Sequence, residues 1–204
     1  LRTISLHPGL YSGGDGASLR PEFSARFSVL IELLDRIREK NEKALIFVES
    51  LELQEAHNLP EILFSKYGLR RPPMVINGEI KTAERQKRVD LFQQEEGFDV
   101  MLLSPKAGGV GITLTAANHV IHLSRWWNPA VEDQCSDRVY RIGQTKDVHI
   151  YYPMAIYPAA PDFSFDIKLN QLMERKRNLS AQMLAPAAFS GNDFEELASE
   201  VSKI

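Results

Sequence analysis

At 204 residues, with 44% apolar and 25% charged content, the chain is long enough to bury one substantial core with an appendage, and its composition is that of an ordinary globular protein. A formal charge of −3 excludes a surface that is a polycation throughout, so any nucleic-acid contact has to come from a local basic strip, and a single cysteine, Cys135, excludes an internal disulfide framework. With no apolar run of ~18 residues and no signal-peptide pattern, no membrane contact is expected and the protein is read as cytoplasmic, associated with the nucleoid; the start at Leu1 reads as an excised piece of something longer.

Residues 1–20 carry Gly13-Gly-Asp-Gly16 without sustained periodicity and are read as a linker leading into a domain over 21–155. Within it, Phe23, Phe27, Leu30, Ile31, Leu34 and Ile37 recur at helical spacing, which predicts a one-faced helix over about 22–40. Short apolar runs then alternate with helical stretches. The runs are Ala44-Leu-Ile-Phe-Val48, Met74-Val-Ile76, Val100-Met-Leu-Leu103, His119-Val-Ile-His-Leu123 and Val148-His-Ile-Tyr-Tyr152, and the helices are expected near 50–66, 81–95, 112–117 and 129–141. Strands interleaved with helices imply an α/β fold, a mostly parallel sheet covered on both faces, with ligands beyond the carboxyl ends of the strands. The proline-rich stretch 153–161 ends that pattern and opens a C-terminal extension over 156–204. There Phe165, Leu169, Leu172, Met173, Leu179 and Met183 form a stripe on a Lys/Arg-rich helix that stops before Pro186, followed by an acidic tail.

Two constellations carry chemistry. Pro129 suits the first turn of a helix, on which Val131, Cys135, Val139 and Ile142 make a buried stripe while Gln134, Arg138 and Arg141 share the adjacent face. A solvated helix, with Asp137 paired to Arg141 and Glu132 or Asp133 in further exposed pairs, is the plainer reading of the same residues. The second constellation is the loop Ser104-Pro-Lys-Ala-Gly-Gly-Val-Gly111, which follows a strand and is expected to open a helix, the arrangement in which backbone N–H groups attract an anion. The chain has no G-x-x-x-x-G-K-[ST] and no strand ending in an Asp-Glu pair, so it supplies only part of any nucleotide site. A basic strip of Lys81, Arg85 and Arg88 lies on the helix after Asn77-Gly-Glu79, where ordinary solvation is one reading and contact with a phosphate backbone the other.

Taken in order, Ala44-Leu-Ile-Phe-Val48, Ile76-Asn-Gly-Glu79 with Glu84-Arg-Gln86 and Phe92, Leu103-Ser-Pro-Lys-Ala-Gly-Gly109, Trp127-Asn-Pro129 and Asp137-Arg-Val-Tyr-Arg-Ile-Gly-Gln144 resemble motifs IV, IVa, V, Va and VI of the Snf-type DNA translocases of helicase superfamily two. The resemblance spans about 44–152, and residues 1–10 with His7-Pro8 resemble the family's approach to its second lobe. It implies a RecA-like three-layer α/β/α lobe with a C-terminal helical extension. It further implies that Arg138 and Arg141 are the arginine fingers that reach ATP phosphates across an interlobe cleft, with Gln134 orienting them. Gly109 and Gly111 match the turn beside the nucleotide, Ser104 and Lys106 a grip on a DNA phosphate, Trp127 the residue coupling DNA tracking to the cleft, and Lys81 and Arg85 a region that approaches the duplex backbone. Pro105 stands where the family has threonine or leucine, and Thr113 where asparagine is common. ATP with Mg2+ would be bound mainly by a missing N-terminal lobe, the polymer partner would be double-stranded DNA, and the lobe alone would be inert. The extension either braces the missing lobe or meets another protein. A noncatalytic module holding nucleic acid or protein on the same fold is the alternative, and an RNA helicase lobe of the same superfamily is a related one.

Overall fold

The structure is a computed structural model and describes residues 2–11, 19–105 and 111–184. Lys106, Gly109, the Gly13-Gly-Asp-Gly16 stretch, the side chain of Met183 and the acidic tail lie outside the described residues.

A short helix, α1 (Arg2–Leu6), leads in, and α2 (Ala25–Glu39) follows, capped by Ser24, whose Oγ accepts from Phe27 N and donates to Leu6 O at 2.8 Å. Thereafter come β1 (Lys43–Phe47), α3 (Leu51–Gln54), α4 (Leu59–Tyr67), β2 (Met74–Ile76), α5 (Thr82–Gln94), β3 (Asp99–Leu103), β4 (His119–His122), α6 (Pro129–Ser136), β5 (His149–Tyr151) and α7 (Phe165–Leu184). The five strands form one parallel sheet in the order β2-β3-β1-β4-β5, with Leu45 opposite Met101 on one side and Val120 on the other.

Because successive strand side chains point to opposite faces, each strand feeds two apolar layers. Ala44, Ile46, Leu102 and Ile121 face Phe27, Leu30, Leu34 and Ile37 of α2 and Leu59 and Leu63 of α4. Leu45, Phe47, Met101 and Val120 face Val89 and Phe92 of α5 and Cys135 of α6. The result is the RecA-like three-layer α/β/α architecture, with helices on both sides of a sheet whose central strands are wholly buried.

Several elements differ from the sequence expectation. The helix expected over 50–66 is two, because the chain turns at Glu55 and restarts with Pro60 in the first turn of α4; the latter ends on Gly68, whose left-handed φ of 56° lets its N–H reach Phe64 O. The stretch 112–117 is not helical, since its backbone is committed elsewhere: Leu114 N donates to Arg138 O at 3.0 Å. The helix expected over 129–141 stops at Ser136, where i→i−3 bonds from Arg138 and Val139 tighten the chain, and Ile142, expected in the buried stripe, is fully exposed. Phe23, Leu172 and Leu179 are likewise exposed rather than packed on their helices. No helix among the described residues is long and apolar enough to cross a membrane.

The extension is joined to the sheet by a buried carboxylate. Asp166, at the start of α7, accepts Arg26 Nε at 2.8 Å and Arg26 Nη2, and also Ser5 Oγ and Ala155 N, each at 2.6 Å; Arg26 Nη1 donates to Leu123 O at the end of β4. Removing one member of such a pair strands the other, so Asp166→Ala should cost about 3–5 kcal/mol in urea unfolding, and a loss below about 1 kcal/mol would contradict the clamp. His122 supplies a pH signature. Burial, with the nearby Arg125 charge second, pushes its imidazole from the ordinary 6.5 down to about 3. Between those two values the unfolded chain binds the extra proton, so stability is present above pH 6.5 and is lost as pH falls toward 3. His122→Gln should therefore flatten the decline in unfolding midpoint between about pH 7 and 5, and an unchanged slope would show that another group carries it.

Candidate functional site

The carboxyl ends of β1, β2, β3 and β4 meet on one side of the sheet, where Val48 N donates to Leu103 O, Ser104 N to Ile76 O and Ser124 N to Phe47 O, all within 3.1 Å. Ser104 and Pro105 are buried directly after β3, and the Pro105 carbonyl lies 3.8 Å from Cys135 Sγ on α6. Burial raises the Cys135 thiol to about 12, so it is a packing residue. On the far side of the loop Gly111 is exposed: its backbone is outside the left-handed region and an added Cβ would meet no heavy atom within 4 Å. Among the described residues nothing demands glycine there.

Asn128 caps α6, its Oδ1 accepting from Ala130 N at 3.1 Å, and Pro129 occupies the first turn. Beyond Ser136 the chain makes a tight turn that carries both arginines and ends at Gly143, φ 103°. Gln144 staples this turn to the neighbouring loop, its Nε2 donating to Thr115 O at 3.1 Å and Ala117 O at 2.8 Å. Arg141 is exposed, with Nη1 on Thr113 Oγ1 and Nε on the Asp137 carbonyl, each at 3.0 Å; it takes the backbone of Asp137 rather than its carboxylate.

Arg138 is the unusual residue. It is only 2% exposed, it has no ion pair among the described residues, and its Nε has no hydrogen-bond partner there. Burial, and then the Arg141 charge, lower its pKa, and the Asp137 carboxylate acts in the opposite direction. Arg138, Arg141 and Gln134 thus do not share one helix face. The helix ends before either arginine, so the 100° step between residues no longer applies, and Gln134 stays exposed on α6 with no hydrogen bond among the described residues.

The other expected contacts separate. Lys81 is exposed at the N-terminus of α5, whereas Arg85 shares the buried stripe with Val89 and Phe92 at +4 and +3, its Nη2 on Ile80 O at 3.3 Å and its Nε unpartnered. Arg88 binds Glu84 and the Val75 carbonyl. Trp127 is 46% exposed and meets Phe165 edge-on at 6.4 Å. Glu132, expected in an exposed pair, is instead 1% exposed, with Arg125 Nε at 2.8 Å, Trp126 N at 2.9 Å and Arg177 Nη2 at 3.1 Å on its carboxylate. No spacing rule announces that cluster, because its members come from β4's end, α6 and α7. Among the described residues no group of His, Cys, Asp or Glu is placed to hold a metal ion.

The turn thus brings together one buried guanidinium with no ion pair among the described residues, a second, exposed guanidinium three residues on, and an open glycine backbone next to the loop that holds the turn. Comparisons with known proteins place the fold in a family. The model of the helicase conserved C-terminal domain matches residues 25–143. The Zorya protein ZorD of Escherichia coli O139:H28 is 38% identical over 97% of this chain, and the putative ATP-dependent helicase/translocase YwqA of Bacillus subtilis 37% identical over 90%. The chain spans 18% and 19% of the length of these two relatives. The Sulfolobus solfataricus SWI2/SNF2 ATPase core in complex with dsDNA superposes with a TM-score of 0.70 at 29% identity, covering 90% of this chain and 36% of that one. A family model that matches more than half of the chain, relatives 37–38% identical over nine-tenths of it or more, and a parallel sheet shared with the SWI2/SNF2 ATPase core make the chain a member of the helicase conserved C-terminal domain family, of the Snf type.

Proposed function

We propose that this chain is the second lobe of an ATP-dependent double-stranded DNA translocase, in which Arg138 and Arg141 act as arginine fingers on ATP held with Mg2+ mainly by an N-terminal lobe. The observation that carries the reading is the Arg138 guanidinium, buried with no ion pair among the described residues. Taking a cation out of water costs several kcal/mol unless an anion compensates it, and phosphate oxygens that gain charge during transfer are such an anion. Arg141, tethered to Thr113 and free on its outer side, is the finger that reaches farther. The printed descriptions of relatives, an ATP-dependent helicase/translocase and an ATPase core in complex with dsDNA, support the substrate and the polymer.

In this reading Gly109 and Gly111 border the phosphates and Gln134 stands beside the fingers. Ser104 and Lys106 hold a DNA phosphate after β3, Lys81 adds an exposed charge to the same track, Arg85 supports it from within α5, and Trp127 links the track to the cleft. Residues 1–20 lead in, 21–155 form the lobe and 156–204 extend it. ATP turnover needs the other lobe, and the protein works in the cytoplasm on the chromosome. Backbone contacts of this kind give affinity that falls with salt and little sequence preference.

In the full-length protein, Arg141→Ala should lower DNA-stimulated ATP turnover by about 10³-fold or more while nucleotide binding persists, and near-wild-type turnover would overturn the finger assignment. Arg138→Met should abolish turnover too, yet leave the unfolding free energy unchanged or raise it by about 1 kcal/mol, because it deletes an uncompensated buried charge. A strong destabilisation by Arg138→Met would mean that the guanidinium serves the fold instead.

A further inference from the structure

The helix α7 is wired to the segment that sets the arginine turn. Arg177 Nη2 lies 3.1 Å from Glu132 Oε2 and 2.9 Å from Asp133 Oδ1, both on α6, and Lys176 Nζ donates to the Trp127 carbonyl at 2.7 Å. Tyr152 lies beneath this junction: the Arg125 and Arg177 guanidiniums sit 4.3 and 5.9 Å from its ring centroid, and His122 stacks on it at 5.0 Å while bonding Ser136 Oγ at 3.0 Å. α6 is thus held at its first turn by α7 and at its last residue by β4. At its own start α7 is fixed by Asp166 on Arg26. The strut therefore runs from the α2 side of the sheet to the helix whose next turn carries Arg138.

Arg177 is not needed to compensate the buried Glu132, and its Asp133 arm is exposed. Arg125 already engages Glu132 with two nitrogens, at 2.8 and 3.2 Å, so the buried carboxylate is compensated without help. The Arg177 side chain is 28% exposed and that of Asp133 53%, a setting in which an ion pair adds little net free energy. What a fork across two consecutive carboxylates does add is direction, since a guanidinium meets carboxylates in a fixed planar geometry. We infer that Arg177, assisted by Lys176, is a positioning residue, which through Glu132, Asp133 and the Trp127 carbonyl holds α6 and hence the Arg138–Arg141 turn in register for the phosphates. This rests on the proposed role of those two arginines.

The test uses the full-length protein at saturating duplex DNA, with Arg177→Met, which keeps an apolar stem over Tyr152, alongside Arg177→Lys, Arg141→Ala and Arg175→Met on the exposed side of α7. Arg177→Met should lower kcat for ATP about 10- to 100-fold, the range set by small misplacement of a catalytic group, with KM for ATP, duplex affinity and Tm nearly unchanged. Arg177→Lys, unable to fork, should fall between, and Arg175→Met should match wild type. If Arg141→Ala is inactive but Arg177→Met turns over like wild type, the positioning role is wrong and the finger assignment stands. If Arg177→Met lowers Tm while kcat per folded molecule is unchanged, the contact is merely structural and the inference also fails. If Arg141→Ala keeps its activity, the functional reading falls and this inference with it.

Discussion

One buried carboxylate, Glu132, organises the functional end of this lobe. Its oxygens take Arg125 and the Trp126 amide from just beyond β4 and Arg177 from α7, 45 residues away, so the sheet and the C-terminal helix converge on a group that is 1% exposed. A hydrophobic contact would hold α6 against the sheet just as well, and replacing buried ion pairs with apolar groups is often neutral or stabilising. What apolar packing does not give is a single rotational and axial setting. Charged hydrogen bonds are short and directional, and here they fix the helix whose C-terminus begins the arginine turn.

The pairing also throws the state of Arg138 into relief. Arg125 is a buried arginine given a bidentate carboxylate, and Arg138, 13 residues on, is a buried arginine given none among the described residues. The first is what a protein does to make burial of a guanidinium tolerable. The second is costly to the isolated lobe, and such departures from the usual rules cluster at sites where function requires them. The cost is limited because the Asp137 charge acts in its favour, and because a delocalised guanidinium is weakly hydrated to begin with.

How far the sequence spoke depends on whether a residue's surroundings are local. The five strands are legible because each is a short apolar run bounded by turn residues, and they fall within a residue of their expected places. α7 is legible because apolar residues recur at helical spacing over several turns, although Leu172 and Leu179 of that series are exposed. Arg85 is the instructive failure: its spacing from Lys81 suggests a basic strip, but the same spacing to Val89 and Phe92 puts it on the buried stripe, and charge alone does not say which period wins. The arginine turn is another. Val131, Cys135, Val139 and Ile142 keep helical spacing, yet the backbone leaves the helix at Ser136 because Leu114 takes the Arg138 carbonyl and Gln144 ties the following loop to Thr115 and Ala117. Those are long-range hydrogen bonds with no local signature. Glu132 and Arg177, 45 residues apart, were invisible for the same reason.

The different treatment of the two arginines has a consequence for how a divided site would work. Arg138 is largely desolvated before any ligand arrives, so an approaching phosphate has little of its water to remove; that cost is already borne by the folded lobe. Arg141 keeps its outer face in water and is held only by Thr113 and the Asp137 carbonyl, contacts it can exchange for stronger ones to an anion. In the proposed reading, closure of the two lobes would thus bring up one preorganised charge and one adaptable one. The free energy recovered on compensating Arg138 becomes available only when the anion is seated, which couples closure to the presence of the nucleotide rather than to contact between the lobes as such.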